Sequence, residues 1–179
     1  MSPFRLESSA RWHTIAYSHL FETTMTETQN LTASDTSLAA PPGFKPRNFG
    51  EGFTEINGPL YTRRSENGLQ MGFRVELRHT NPMKICHGGM MATFCDMLCP
   101  MTAHLVCKEA TGRFLPTISL QIDYLSSAPL GAWVQGEAQV LRVTRNMVFM
   151  QGLVTADGVN AARVSGIFKI GALFDGTGK

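Results

Sequence analysis

His87, Gly88 and Gly89 are followed, after six intervening residues, by Asp96, a pattern that joins backbone donors to a carboxylate. Two glycines at a helix start let a ligand approach the backbone, and the unpaired N–H groups at the positive end of the helix dipole favour developing negative charge. Such a place suits an oxyanion, although the same glycines also suit a tight loop and close helix–sheet packing. Asp96 is flanked by Phe94, Cys95, Met97 and Leu98, and an acid among apolar neighbours is rare unless it is paired or functional. It is either a reacting carboxylate or a polar group satisfied by a neighbouring strand. Asp96 lies seven residues beyond Gly89, roughly 10 Å along a helix axis and close to the same face. It cannot readily serve the N-terminus of its own helix. Two such helices running antiparallel across a twofold axis would bring the acid of one to the glycine pair of the other, so the spacing suggests a composite site at a dimer interface.

Positioning these groups falls to one helix and the strands around it. Residues 87–108 have no two-residue period and consist mostly of helix-compatible apolar residues, which predicts one long helix buried nearly all round. Pro100 lies within it and frees the carbonyl of Asp96, predicting a kink just after the acid. Upstream, FTEINGPLYTRR (53–64) is strand-like but broken by Gly58 and Pro59, which predicts a bulged or edge strand. Asn67-Gly68 signals a hairpin, and the following segment alternates, with Met71, Phe73, Val75 and Leu77 on one face. After Gly112, alternating runs cover Ile118 to Tyr124, Val134 to Val143 and Met147 to Val154. Asp157-Gly158 then signals a hairpin into a last strand through Val164, Gly166, Phe168 and Ile170. Two strands, one long helix and four strands predict an α+β fold in which an antiparallel sheet wraps around the helix.

Composition narrows the function classes. The 179 residues suffice for one domain with its own core, without disulfides or a structural metal. Charged residues make up only 17%, against a usual ~25%, which points to a surface partly covered by other subunits. Net charge is +2 with the charges scattered, so the basic footprint of a nucleic-acid partner is missing. No run approaches the roughly 18 apolar residues of a membrane span. All four cysteines fall between Cys86 and Cys107, and the N-terminal residues lack an uninterrupted apolar region. Both features fit a reducing, cytoplasmic location. Arg5, Arg11 and the serines near them leave an organellar presequence as the alternative, and Met25 offers an alternative start. Residues 1–42, polar toward their end and closed by a double proline, read as a mobile leader. Residues 43–173 read as the folded domain and 174–179 as a flexible tail.

The stretch HTNPMKICHGGMMATFCD, with the later PTISLQIDYLSSAPLG, resembles the PaaI-like branch of the hotdog-fold acyl-CoA thioesterases over about residues 45–170. The resemblance implies a hotdog domain whose homodimer joins two sheets into one, with active sites at the dimer interface and often a homotetramer beyond it. It implies an acyl-CoA substrate, of which coenzyme A is a part, and no separate cofactor. By position, Asp96 is similar to the family's catalytic carboxylate and Gly88 to the residue whose N–H polarises the thioester carbonyl. Asn81 is similar to the side-chain amide beside it, and His87 to the histidine that shapes and orients the site. Thr117 stands where related enzymes carry a Ser or Thr that positions the acid or water.

The residues make chemical sense of these implied roles. A thioester carbonyl is already electrophilic, so it needs oxyanion donors and a carboxylate that deprotonates water or attacks directly, and it needs no metal. Asn81 precedes Pro82, which biases it toward extended backbone; an ordinary turn residue would look the same. Thr117 also suits a strand start. Gly89 and Met90 open the helix where substrate would lie, and Met90, Met91, Met97 and Met101 suit either a deformable apolar pocket or the core. Arg142 and Arg145, at a strand end, are candidates for the phosphates of CoA or are solvated surface groups. Among rivals, Cys95, Cys99 and His104 share part of the helix but match no zinc spacing. An acyl-CoA-binding protein without turnover would keep the fold, yet it gains nothing from a costly carboxylate facing a thioester. A hotdog dehydratase or hydratase is disfavoured because neither the proline-rich His loop nor the paired Asp/His of those branches is evident. The acyl group stays open between aromatic and medium-length aliphatic.

Overall fold

A computed structural model describes residues 39–173 apart from 48 and 67. The expected leader up to residue 38, the tail from 174 and Asn67 of the first hairpin signal lie outside the described residues. The strands are β1 (Lys45–Arg47), β2 (Leu60–Ser65), β3 (Gly68–Arg74), β4 (Thr117–Tyr124), β5 (Trp133–Val143), β6 (Met147–Ala156) and β7 (Val159–Lys169). They form one antiparallel sheet in the order β1-β2-β3-β5-β6-β7-β4. A short helix, α1 (Phe53–Ile56), and a 3-10 turn (Leu77–His79) precede the long helix α2 (Gly88–Val106). One long helix against an antiparallel sheet is the hotdog arrangement expected.

Both hairpin signals hold. Ser65 pairs with Gly68 at the end of the β2–β3 ladder. At the β6–β7 turn Asp157 and Gly158 both take positive φ, 46° and 85°, the left-handed pair that a two-residue hairpin needs to match strand twist. Alternation in β3 buries Met71 and Phe73, with Val75 just beyond the strand. Leu77 departs from that face, because the chain enters the 3-10 turn there and leaves it 61% exposed.

Two expectations are corrected. Residues 53–56 are α1 rather than strand, and β2 begins only after Pro59. The edge position belongs instead to β1, which pairs β2 from outside. Helix α2 is buried along one stripe, not all round: Met90, Met91, Phe94, Cys95, Leu98, Cys99, Thr102 and Ala103 are buried, the i, i+4 rows that one helix face presents. That stripe packs on β3 and β5. The helix comes close enough that a Cβ on Gly136 would sit 2.7 Å from Leu98 Cδ2. As expected, α2 runs as one helix through Pro100 to Val106, with the proline removing the hydrogen bond to the Asp96 carbonyl.

Candidate active site

The N-terminus of α2 accounts for its own donors. His87 is the N-cap in an extended conformation, and its Nδ1 accepts from the Gly89 N–H at 2.9 Å. The His87 carbonyl accepts from the N–H groups of Met90 and Met91 at 2.9 and 3.1 Å. Of the first four N–H groups, which a helix cannot pair internally, only that of Gly88 has no partner among the described residues. A Cβ on Gly89 would press to 3.0 Å from His87 Nδ1, whereas one on Gly88 would meet only the Tyr124 side chain at ordinary contact, 3.5 Å or more. Gly89 is therefore explained by the cap. At Gly88, by contrast, the contacts within the chain leave room for a side chain.

The loop ahead of the helix is a built turn. Asn81 Oδ1 accepts from the N–H of Met83 at 2.9 Å and, more weakly, from that of Ile85 at 3.4 Å. Lys84 closes the turn with φ 58°, and its N–H donates to the Asn81 carbonyl. The turn reading of Asn81 is thus correct for its oxygen. Using the oxygen in this way leaves the two side-chain N–H donors without a partner among the described residues.

Thr117, the first residue of β4, donates its hydroxyl to Asp96 Oδ1 at 2.6 Å. The contact gives the acid the partner on a neighbouring strand that one reading of Asp96 expects, and Oδ2 has no partner among the described residues. Asp96 and Gly88 are eight residues apart on one continuous helix, about 12 Å along the axis. The chain therefore brings Thr117 to Asp96, and the Thr80–Cys86 bridge closes the Asn81 turn just ahead of the α2 cap, but Asp96 and Gly88 stay apart along the helix.

Other candidates divide similarly. Met90, 7% exposed, belongs to the core, and it shares with His87, Gly89, Phe53 and Thr93 the wall of a cleft of about 430 Å³. Met91 is core as well. Arg142 and Arg145 are exposed, without a hydrogen bond or ion pair among the described residues. Their hairpin lies at the end of the sheet where β4 begins, since Val143 pairs Val148, Val148 pairs Phe168 and Phe168 pairs Thr117. The Asn81 turn is tied instead to the segment that follows β4, through the Ile85–Pro129 bridge. Burial pushes the thiol of Cys86 up to about 11 and those of Cys95 and Cys99 up to about 12, so the thiolates a metal would need are disfavoured. Among the described residues no group of three or more His, Cys, Asp or Glu side chains could hold a metal ion.

Two residues of this corner gave no sequence signal. His79, 1% exposed, receives the Glu76 N–H on Nδ1 at 3.0 Å and donates from Nε2 to the Asn57 carbonyl at 3.1 Å. Its own carbonyl accepts the His87 N–H at 2.8 Å. One buried residue thereby ties α1 and the end of β3 through its ring, and the cap of α2 through its backbone carbonyl. Burial pulls its pKa down, with Glu76 and the backbone carbonyls of Arg74 and Asn57 opposing and Arg78 adding to the fall. Tyr124, the last residue of β4, donates its hydroxyl to the Gly88 carbonyl at 2.9 Å.

Residues 83–162 match the family model described as the thioesterase superfamily. Acyl-coenzyme A thioesterase 13 of Homo sapiens is 36% identical over 78 residues, covering 42% of this chain. The chain spans about half of that curated relative, 52% of its length. Among solved structures, zebra fish thioesterase superfamily member 2 superposes with a TM-score of 0.61 and 25% identity, over 69% of this chain and 89% of that one. A hypothetical thioesterase of Streptococcus pneumoniae TIGR4, solved with coenzyme A, gives 0.57 at 16% identity over 66% of this chain and 94% of its own, a likeness of fold alone.

Proposed function

Because the chain belongs to the hotdog-fold thioesterase family, we propose that it hydrolyses acyl-CoA thioesters to a free acid and coenzyme A, with no metal or separate cofactor. The observation that carries this reading is the 2.6 Å bond from Thr117 to Asp96 Oδ1. It fixes a carboxylate on an apolar helix and leaves Oδ2 for water.

In the mechanism, Asp96 takes a proton from water as the water oxygen adds to the thioester carbonyl carbon. The resulting oxyanion is held by the Gly88 N–H and the Asn81 side-chain amide, donors whose directions the cap and the turn fix beforehand. Collapse of the tetrahedral intermediate breaks the C–S bond, and the proton on Asp96 passes to the leaving thiolate. Direct attack by Asp96 on the carbonyl, followed by hydrolysis of the anhydride, uses the same atoms.

The site is completed in a homodimer. Strand β4 is an edge strand of eight residues with neither Lys nor Pro, and Ile118 and Tyr124 on it are 56% and 57% exposed. An unblunted edge of that length is a template for a second strand. Pairing of β4 with its twofold copy continues the sheet and sets the two α2 helices antiparallel, so that Asp96 of one faces Gly88 of the other.

The test is release of free thiol from a panel of aromatic and aliphatic acyl-CoAs, with chelator present. Wild type should turn over at least one class, and Asp96→Asn should lower kcat by about 10²-fold or more with the fold kept. A near wild-type rate in that variant removes Asp96 from the mechanism. Binding of the whole panel without thiol release by wild type would make the protein an acyl-CoA binder instead.

A further inference from the structure

Tyr124 touches none of the atoms that react in the mechanism above, yet it contacts the backbone that does. The Gly88 carbonyl that accepts its hydroxyl and the N–H of Gly89 that donates to His87 Nδ1 belong to one peptide group. That peptide is held from both ends, by the end of β4 on the oxygen side and by the cap residue on the nitrogen side. We propose that Tyr124 is a positioning residue for the oxyanion donor: its hydroxyl clamps the Gly88–Gly89 peptide, and through it the His87 ring and the direction of the Gly88 N–H.

This inference rests on the thioester-hydrolysis reading, and the physical need for a clamp is specific to glycine. With no Cβ, Gly88 rotates about its backbone torsions at little cost, and an oxyanion donor is effective only where its direction is set before charge develops. A backbone N–H can be accepted only by a ring nitrogen with a free lone pair, so His87 carries its proton on Nε2. A hydrogen bond to the Gly88 oxygen polarises the peptide and makes the Gly89 N–H the better donor, which reinforces that tautomer. The clamp and the capping histidine thus support each other through one peptide bond.

Tyr124→Phe removes the hydroxyl and keeps the ring. The expected result is a fall in kcat of about 2- to 10-fold, the range of one lost neutral hydrogen bond, with KM and melting temperature little changed. In ¹⁵N NMR the His87 ring should change from one tautomer, protonated on Nε2, to a mixture. An unchanged kcat, or a loss confined to KM, overturns the proposal. If wild type hydrolyses no thioester the functional reading fails by itself, and the His87 spectrum still decides the clamp: a tautomer unchanged by Tyr124→Phe overturns it.

Discussion

Subunit exchange tests the shared site directly. Asp96→Asn chains lack the carboxylate. Asn81→Asp chains lose the amide donors while keeping an oxygen to accept the Met83 N–H, so the turn survives. The helical step of eight residues from Gly88 to Asp96 puts about 12 Å between donor and acid within a chain, too far for one thioester group. In a heterodimer, Asn81 and Gly88 of the first chain therefore meet Asp96 of the second, giving one intact site, while the other site carries both lesions. Statistical mixing of equal amounts makes about half of all dimers mixed, each with one of two sites working, so activity should return to about a quarter of wild type. Either homodimer alone should show about a hundredth or less. The assay is thiol release before and after exchange, with native mass spectrometry counting heterodimers. Full exchange with no recovery, or an active monomer in solution, refutes the arrangement.

Two further outcomes concern stability. Burial lowers the pKa of both His79 and His104, so their stabilising contribution is complete above the unfolded imidazole value of about 6.5 and is lost as pH falls below it toward the depressed folded values; the melting temperature should drop between about pH 6.5 and 5, and a flat profile there would contradict the buried neutral histidines. Gly152→Ala would set a Cβ 2.8 Å from the Glu137 carbonyl oxygen of the neighbouring strand, so it should cost about 1–3 kcal/mol by chemical denaturation, whereas an unaffected midpoint would mean that the β5–β6 ladder gives way easily.

Local chemistry made much of this legible. The Asn-Gly and Asp-Gly pairs marked their turns, and the break in two-residue period at His87 marked the start of α2. Helix rise alone separated Gly88 from Asp96. What could not be read was decided by tertiary packing. In β1, Lys-Pro-Arg has no apolar alternation, and it becomes a strand only because β2 offers it an edge. Phe53 and Ile56 are as compatible with a strand as with the helical turn they form, and both remain exposed. The sidedness of α2 was hidden because its half-buried face is nearly as apolar as its buried one. His79 and Tyr124 act through backbone groups far off in sequence, and no motif announces such contacts.

The buried thiols bear on how the protein is handled at the bench. With Cys86 pushed up to about 11, very few molecules carry its thiolate near neutral pH, and Cys95 and Cys99, pushed up to about 12, carry fewer still. Disulfide-based colour reagents, which react with thiolates, should then titrate any thiol released in the proposed thioester assay long before these side chains of the native protein. A cysteine introduced on the exposed β5–β6 hairpin, for example at Asn146, would accept a maleimide label in preference to them, providing a fluorescent handle with which to follow the chains as they pair.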